Sequence, residues 1–519
     1  MKNKAPKPDK EIYRQLRTLP WAELWSREKA RFDQGSAEER RARVAVVRAV
    51  GVVFAESGQT GQRQEVRRWL LNLLHDPCEK ARRYAMAALP KIGAAPEDEA
   101  QLISVLRAAT SAREKKFAGL ALEKVGGPAT LNLLKSGGAQ LLPQTGQKVK
   151  ARLARAEKPS AIRLENALAE LKDLRIHLRT RRGLEVILRE EVEASAKGGG
   201  KFHPAETSGG LVAVTPTGPF TLGDVLQLRC FGSVGFLLGH VPLVNHSANL
   251  EGLAGLVASV LSLRILRGLT EGEIRYRLNY VAQGHQRGAV RQLASRIYAL
   301  CPEILNDGRK VTWTVDIFPV AGGHGAELRP NLTPDPRFLY RQADVPAASH
   351  PPLAASLARF AGRVADEVVW DPFCGSGLEL IESALLGGVR QVYGTDHDPA
   401  AIAISRGNFA AAKIKAVPAR FIQGDFRDFA RLESMGAGDV TLIITNPPMG
   451  KRVPIPELAR LIEDLFDVAA KLLKPGGRLV FANPLLSEQR HPLLQLQDRQ
   501  PVDFGGFECR LERHLKLSG

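Results

Sequence analysis

The sequence of 519 residues is poor in cysteine, and its five cysteines are scattered. None belongs to a Cys-x-x-Cys pair, so neither a zinc site nor a disulfide framework is indicated, and we predict no metal site. Long apolar runs are also lacking, because the longest are broken by Arg264 or by glycines, and the N-terminal residues have no apolar core. These absences predict a cytoplasmic protein that does not cross a membrane.

Acidic residues are too few to balance the basic ones. The chain has 73 Lys and Arg against 55 Asp and Glu, a formal net charge of +18. The excess lies in residues 1–340, since residues 341–519 hold 21 of each sign, and residues 41–160 alone hold 21 basic and 10 acidic side chains. A neutral C-terminal region joined to basic segments indicates that those segments hold a polyanion. The alternative is a solvated basic surface without a partner.

Residues 367–386 read as a strand, a glycine turn and a helix. A short apolar run at 367–370 leads into Asp371-Pro372-Phe373-Cys374-Gly375-Ser376-Gly377, and residues 378–386 have helical spacing of apolar positions. Glycines let backbone N–H groups approach a ligand closely, and the N-terminus of the following helix favours negative charge. This stretch is typical of a ligand-binding loop, although a glycine pair after a strand can also be a tight turn.

Three later strands also end in polar residues. The run at 391–395 leads to Asp396, the run at 420–423 leads to Asp425, and the run at 440–445 leads to Asn446-Pro447-Pro448-Met449-Gly450. A doubly wound sheet places a ribose-binding acid where Asp396 falls. Taken alone each acid could be a helix cap, but the ordered set brings four polar groups to one edge of a sheet.

The Asn446-Pro-Pro segment suits a planar amine as its ligand. The lone pair of an aromatic amine is spread into the ring, so the nitrogen becomes a good nucleophile only when it is positioned and polarised. Acceptance of its two N–H bonds by the Asn446 side-chain oxygen and the Pro447 carbonyl would localise electron density on the nitrogen. The prolines fix φ and remove two competing donors. The alternative reading is a rigid surface turn.

This ordered set resembles class I S-adenosylmethionine-dependent methyltransferases that act on exocyclic amines. The resemblance implies an α/β Rossmann-like domain with a seven-stranded sheet over residues 335–519 and S-adenosyl-L-methionine as cofactor. Met449 departs from the pattern, because similar families often carry an aromatic residue there, yet a thioether can cover an aromatic face. The implied cofactor-binding residues are Asp371, Pro372, Phe373, Cys374, Gly375, Ser376 and Gly377 for the methionine part, Asp396 for the ribose hydroxyls, Asp425 for the adenine amino group, and also His397, Phe426 and Asn446; the implied catalytic residues are Asn446, Pro447, Pro448 and Met449.

A repeat occupies the N-terminal region. Residues 83–93 match residues 116–126 at a constant offset of 33, each copy follows an apolar helical run, and residues 44–58 read as a worn first copy. Two helices per unit at this period predict an α-solenoid at 41–140, after a tail and helix at 1–40, and the pattern resembles HEAT-like repeats. Its ligand could be protein or RNA, or the repeats could simply extend the fold.

The middle of the chain reads as a separate α+β module. After a linker at 141–161, strand, helix, strand and helix follow at 174–180, 183–192, 210–215 and 222–231, which predicts a ferredoxin-like unit. Residues 178–185, 228–231 and the segment from 335 to 355 resemble THUMP-type RNA methyltransferases, which make N2-methylguanosine in tRNA or ribosomal RNA. The resemblance implies an RNA-binding module at 162–334 and does not extend to the helical repeats, where a protein partner is possible. Candidate phosphate contacts, which could equally be ordinary basic surface, are Arg179, Arg181, Arg182, Lys451 and Arg452.

The sequence therefore favours a multidomain methyltransferase that modifies the N2 amine of a guanosine in structured RNA, either tRNA or rRNA. The base must leave its stack, because its amino group inside a helix faces the pairing partner. Three alternatives stay open: an adenine-N6 methyltransferase of DNA or RNA, a protein glutamine methyltransferase, and a non-catalytic RNA-binding scaffold. The intact Asp371, Asp396 and Asn446 argue against the scaffold.

Overall fold

The computed structural model describes residues 8–93, 95–136, 145–157, 160–169, 171, 174–282, 284, 286–309, 311–346, 348–429, 439–449, 458–485 and 490–518. The chain forms two compact units. One is built from residues up to 161 together with 240–324, and the other from 162–239 together with 325–519. The stretch 162–334, which the sequence presents as one module, is therefore divided between the two units.

Alternate helices of the first unit stack on one another. Ala45–Ser57 packs on Glu79–Ala88, which packs on Ala112–Val125. The first contact is close, because a Cβ at Gly51 would lie 2.5 Å from the Cβ of Ala88. These helices lie where the repeat predicts them, and their assignment to HEAT-like repeats stays a prediction. The unit's helices are Pro8–Arg17, Trp21–Glu23, Leu24–Glu28 (a π-helical turn), Lys29–Gln34, Ala37–Ala42, Ala45–Ser57, Thr60–Gln62, Arg63–Leu73, Glu79–Ala88, Leu89–Lys91, Pro96–Ala108, Ala112–Val125, Pro128–Lys135, Thr145–Glu157, Leu250–Val257, Val260–Leu269 and Arg287–Leu300, and its strands are Thr270–Glu271, Arg275–Tyr280, Leu305–Asn306 and Trp313–Val320.

The segment expected to be a linker, 141–161, is helical over Thr145–Glu157. This helix packs on Ala112–Val125, and Val149 and Ala151 are buried. Its Gly, Gln and Lys content hid these two core positions from the sequence pattern.

No single helix among the described residues is long and apolar enough to cross a membrane. Leu250–Val257 and Val260–Leu269 meet that criterion only as a pair bent by 43°. Both helices bury apolar side chains inside the first unit, including Leu253 and Leu266.

The second unit opens with antiparallel strands and one long helix. Strand β1 (Ile176–Arg179) lies between β3 (Leu211–Pro216) and β4 (Ser233–Pro242), and β2 (Phe202–Ser208) pairs with β3. Strand β5 (Gly323–Pro330) pairs with β4, and helix α1 (Glu185–Lys197) connects β1 to β2. A two-residue strand, Ala161–Ile162, precedes them.

The helix predicted at 222–231 is wrong beyond its first turn, because Leu222–Val225 is its whole length. The backbone N–H groups of Arg229 and Cys230 donate to the carboxylate of Glu191 on α1 at 2.9–3.1 Å. Glu191 is buried and needs these donors, so the chain leaves the helical hydrogen-bond pattern to satisfy it.

A seven-stranded sheet forms the rest of the second unit, as the sequence predicts. Its strands are β6 (Glu367–Asp371), β7 (Val389–Asp396), β8 (Ala419–Gln423), β9 (Val440–Thr445), β10 (Leu473–Asn483), β11 (Leu494–Asp503) and β12 (Glu508–Lys516). Their order in the sheet is β8-β7-β6-β9-β10-β12-β11, with β12 antiparallel to both neighbours and the other pairs parallel. Parallel strands end at one edge, and that edge carries the predicted polar residues. The helices are α2 (Pro351–Ala361), α3 (Leu378–Leu386), α4 (Pro399–Ala411) and α5 (Leu458–Leu472), with short 3-10 turns at Pro336–Phe338 and Phe426–Asp428.

The loop after β1 lies directly against edge strand β11. The Gly183 carbonyl accepts from the Gln500 side chain at 2.9 Å, and the Arg182 carbonyl accepts from the Asp503 N–H at 2.9 Å. Gly183 has φ +98°, and a Cβ there would lie 2.0 Å from the Pro501 carbonyl oxygen. Glycine is required at this position for both its backbone conformation and its lack of a side chain.

We expect Gly183→Ala to lower the melting temperature of the protein more than Gly199→Ala does. Both glycines have left-handed φ, at +98° and +89°, but a Cβ at Gly199 would meet nothing within 4 Å. The shared backbone strain costs about 1–2 kcal/mol, and the clash at Gly183 adds roughly 1–3 kcal/mol. Thermal unfolding followed by circular dichroism measures the difference. Equal shifts for the two variants would contradict the close approach to β11.

Candidate active site

Asp371 ends β6 and is fully buried. Its Oδ1 accepts from the Phe373 N–H at 3.0 Å and from the Thr445 hydroxyl at 2.6 Å. Its Oδ2 has no partner among the residues the structure describes. Burial, and then the charge of Glu379, raise the pKa of Asp371 well above its usual range. The carboxylate is therefore poised to gain a cationic ligand.

The glycine turn after Asp371 is held by a second acid. The Gly375 N–H donates to Asp396 Oδ2 at 3.0 Å, and Asp396 Oδ1 accepts from the Asp398 N–H at 3.0 Å. Gly375 and Gly377 have φ +51° and +80°, and a Cβ on Gly377 would lie 3.0 Å from the Cβ of Ser405. Asp396 thus fixes the loop and keeps lone pairs for further donors.

Asn408, on α4, holds the loop from the other side, and the sequence analysis missed it. It is fully buried and its Nδ2 donates to the carbonyls of Ser376 and Ala343, both at 3.0 Å. Its Oδ1 accepts from the N–H groups of Gln342 and Ala343 at 2.9 and 3.2 Å. The only signal in the sequence is one amide within a helix of small and apolar residues.

The remaining loop residues are mostly buried. Pro372, Cys374 and Ser376 are buried, and burial raises the pKa of the Cys374 thiol, which keeps it protonated. Phe373 is half-buried and packs on the buried Phe426 with ring centroids 4.8 Å apart. Cys374 therefore serves packing rather than nucleophilic chemistry.

Two predicted cofactor residues lie at the exposed side of the edge. His397 is 91% exposed, with its Nδ1 3.4 Å from Asp396 Oδ1. Asp425 is about half exposed, and both of its carboxylate oxygens bond to Arg427, which also bonds to Asp464. The adenine-binding role of Asp425 stays a prediction, and in this structure its carboxylate is held in an ion pair.

Asn446 follows β9 directly and lies beside the acid of β6, because Thr445 holds Asp371. Its Nδ2 donates to the hydroxyl of Ser349 at 2.8 Å. Its Oδ1 is buried and has no partner within the described part of the chain. Pro447 is buried, and Pro448 and Met449 are half-buried. Among the four predicted catalytic residues, Asn446 thus offers a buried hydrogen-bond acceptor, its Oδ1, to which no described residue donates.

Ser349 and Glu379 complete this corner, and the sequence analysis missed both. The Ser349 hydroxyl donates to Glu379 Oε1 on α3. Glu379 is buried, and burial raises its pKa to about 7. Its neighbour one turn along α3, Glu382, is also buried and bonds to Arg229 through two hydrogen bonds of 2.7 and 2.8 Å.

The candidate phosphate contacts differ in their environment. Arg179 forms two hydrogen bonds with the buried Glu327, at 3.1 and 2.7 Å, which His177 also contacts at 2.8 Å. The Arg181 guanidinium lies over the ring of Phe504, 5.4 Å from its centroid, and Arg182 is exposed. The other two candidates, Lys451 and Arg452, lie outside the described residues.

The polar groups at this edge of the sheet fit S-adenosyl-L-methionine as a ligand. That molecule carries a sulfonium and an ammonium group, and the edge offers the unpartnered Asp371 Oδ2 near a second carboxylate, Asp396. Gly375 and Gly377 have left-handed φ, which glycine adopts without strain, so the loop can form this tight turn after Asp371. A buried acceptor, Asn446 Oδ1, is available to a donor that the cofactor need not supply.

Comparison with known proteins agrees with this geometry. Residues 339–500 match the family model described as UPF0020, RMKL-like, methyltransferase domain. A tRNA (guanine(10)-N2)-dimethyltransferase of Methanothermobacter thermautotrophicus is 30% identical over 185 residues, covering 35% of this chain and 49% of that protein. A ribosomal protein L11 methyltransferase of Psychrobacter sp. is 30% identical over 132 residues, covering 25% and 38%. The crystal structure of TrmN from Thermus thermophilus has a TM-score of 0.53 at 23% identity, covering 66% of this chain and 100% of that one.

Residues 339–500 therefore form a class I methyltransferase domain, for which S-adenosyl-L-methionine is the expected cofactor. The comparisons also confirm the resemblance of this domain to the THUMP-type RNA methyltransferases. The chain spans about half or less of the curated relatives it matches. The TrmN structure supports the fold of the second unit's domain and adds no substrate.

We expect the affinity for S-adenosyl-L-methionine to rise as the pH increases toward about 7, a range in which the cofactor's amino group stays charged. The cofactor prefers the ionised Asp371, whose pKa is raised, so binding releases a proton and strengthens as pH rises. Asp371→Asn should weaken binding and remove most of this slope. Asp366→Asn, exposed and paired only with Arg390 among the described contacts, is the matched control. Calorimetry across the pH range measures both, and an unchanged slope in Asp371→Asn would contradict the assignment.

Proposed function

We propose that this protein is an S-adenosyl-L-methionine-dependent RNA methyltransferase that methylates the exocyclic N2 amine of a guanosine in tRNA or ribosomal RNA. The observation that carries the proposal is the buried, unpartnered Oδ1 of Asn446 beside the acid of the cofactor loop. A buried acceptor without a donor costs free energy, so it favours a ligand that brings an N–H group. An exocyclic aromatic amine brings two.

The chain's own groups account for the reaction without a general base. When bound, the cofactor supplies a methyl group on a positively charged sulfur. Asn446 Oδ1 and the Pro447 carbonyl accept the two N–H bonds of the amine and localise its lone pair. Positioning of this kind can lower a barrier by roughly 7–11 kcal/mol. Met449, half-buried after the two prolines, can cover one face of the base. The amine keeps one proton and releases the other to solvent.

The RNA part of the proposal rests on charge and on relatives. The basic excess lies outside the methyltransferase domain, in residues 1–340. One relative is named for guanine-N2 methylation in tRNA, whereas another is named for methylation of a ribosomal protein. Under this proposal the segments within residues 162–334 select the RNA, although they are divided between the two units, and the Asn446 pocket selects the base. HEAT-like repeats with a possible protein partner, and a cytoplasmic location, belong to the same proposal.

Nucleoside mass spectrometry tests the reaction. Bulk tRNA and ribosomal RNA are incubated separately with the protein and cofactor labelled in its methyl group. Label in N2-methylguanosine supports the proposal and identifies the RNA class. Label in N6-methyladenosine would keep the mechanism and replace the base. Label in glutamine of a ribosomal protein fraction, with none in RNA, would overturn the RNA assignment.

We expect Asn446→Ala to slow methyl transfer about 100- to 1,000-fold while cofactor affinity stays nearly unchanged. The Asn446 side chain contacts Ser349 and offers its oxygen to the amine, whereas the cofactor loop is held by Asp371, Asp396 and Asn408. Loss of one positioned acceptor costs on the order of 100- to 1,000-fold in rate. Turnover and calorimetry are measured on the same preparation. Loss of cofactor binding in this variant would show that the two motifs do not divide the work as proposed.

We expect Arg182→Ala to weaken RNA binding and Arg179→Ala to destabilise the protein. Arg182 is exposed, so its loss should reduce the slope of log affinity against log salt by about 1. Arg179 holds the buried Glu327, and removing it leaves that carboxylate with His177, at a cost of about 3 kcal/mol. Filter binding at several salt concentrations and thermal melting separate the effects. Unchanged RNA affinity in Arg182→Ala would remove it from the interface.

A further inference from the structure

The side chains of Asn446, Ser349 and Glu379, from three separate segments, form one chain of hydrogen bonds. Asn446 Nδ2 donates to Ser349 Oγ at 2.8 Å, and the Ser349 hydroxyl donates to Glu379 Oε1. Ser349 and Glu379 are 8% and 4% exposed. Neither residue belongs to the glycine loop or to the Asn-Pro-Pro segment.

The direction of these bonds follows from the number of protons. A hydroxyl has one hydrogen, and an ionised carboxylate can only accept. Because Ser349 gives its hydrogen to Glu379, it can only accept from Asn446, so the NH₂ group of the amide must face Ser349. The amide oxygen then faces the opposite way, where Oδ1 is buried and has no partner among the described residues.

We propose that Ser349 and Glu379 are positioning residues that fix the orientation of the Asn446 amide, so that its oxygen and not its nitrogen meets the substrate amine. The inference rests on the proposed function, because it concerns the same acceptor. The two ends of an amide have nearly the same shape, so packing alone does not select one. A flipped amide would present N–H groups to the amine, which then lacks an acceptor.

The burial of Glu379 supports this role. Glu382, one turn along α3, is stabilised by the guanidinium of Arg229, whereas the side chain that bonds to the Glu379 carboxylate is a neutral hydroxyl, that of Ser349. A buried carboxylate without a cation is costly, and such groups concentrate at functional sites. Asp371 and Glu382 are the charged groups that face Glu379, and both disfavour its ionised form.

Serine variants test the orientation. Ser349→Ala should lower kcat about 10- to 100-fold with cofactor affinity unchanged, and Ser349→Thr should restore most of the loss. Ser383→Ala is the matched control, because Ser383 is buried on the same helix as Glu379 and its hydroxyl donates to the Glu379 backbone carbonyl and not to the carboxylate. The double variant Ser349→Ala/Asn446→Ala should be no slower than Asn446→Ala alone. Equal losses in Ser349→Ala and Ser383→Ala, or additive losses in the double variant, would overturn the inference.

The pH profile provides a second test. Burial raises the pKa of Glu379 to about 7. We therefore expect kcat to fall as the pH drops below about 7, because a protonated carboxyl can itself donate and no longer forces the Ser349 hydroxyl to accept from Asn446. Glu379→Gln cannot titrate, and its neutral amide resembles the protonated carboxyl because it can both donate to Ser349 and accept from it. It should therefore lower kcat at neutral pH to about the level that the wild type reaches at acidic pH and lose this acid limb, whereas Glu379→Leu should behave like Ser349→Ala. An acid limb that persists unchanged in Glu379→Gln would contradict the role of Glu379.

A spectroscopic measurement separates this inference from the proposed function. With ¹⁵N-labelled asparagine, the side-chain signal that disappears in Asn446→Ala belongs to Asn446. Slow hydrogen exchange of that signal in the wild type, lost in Ser349→Ala and kept in Ser383→Ala, supports the orientation even when no RNA accepts a methyl group. Rapid exchange in the wild type would overturn it. Absence of methyl transfer with protected Asn446 would instead contradict the proposed function alone.

Discussion

Three carboxylates buried below the glycine turn hold the catalytic half of the protein together. Asp371, Glu379 and Glu382 lie on one strand and the helix that follows it, and each needs a partner that the helix cannot supply. Glu382 pairs with Arg229, which lies between the helical turn Leu222–Val225 and β4, and accepts from the hydroxyl of Tyr340 in the segment before α2. Glu379 accepts from the hydroxyl of Ser349, in the same segment before α2, and Asp371 accepts from the hydroxyl of Thr445 at the end of β9. Each segment that must be close to the cofactor loop is therefore attached to it by a desolvated carboxylate.

The strand ends of the methyltransferase sheet were predictable, because parallel strands with polar residues at their carboxyl ends must meet at one edge. The stacked helices were predictable from a constant repeat length. The prediction failed where a contact distant in sequence decides the structure. The helix predicted at 222–231 stops early because the Arg229 and Cys230 N–H groups bind Glu191, 38 and 39 residues earlier in the chain. Strand β11 was missed because its exposed polar residues hide the alternation that a half-buried strand normally shows.

Only those residues of the candidate site that belong to sequence motifs were predictable. Asp371, Asp396 and Asn446 belong to motifs, whereas Ser349 and Asn408 act through partners 97 and 32 residues away. Such pairings are set by packing and leave no spacing rule in the sequence. The signal that was present is the pair of acids three residues apart on one face of an apolar helix, since charges at buried helical positions need partners.

The contact between the Gly183 loop and β11 also bears on whether the methyltransferase domain can stand alone. Edge strands carry unpaired backbone groups that invite pairing with other chains, and here the loop after β1 occupies the end of that edge. A methyltransferase domain cut away from residues 162–239 would expose this edge as a template for aggregation.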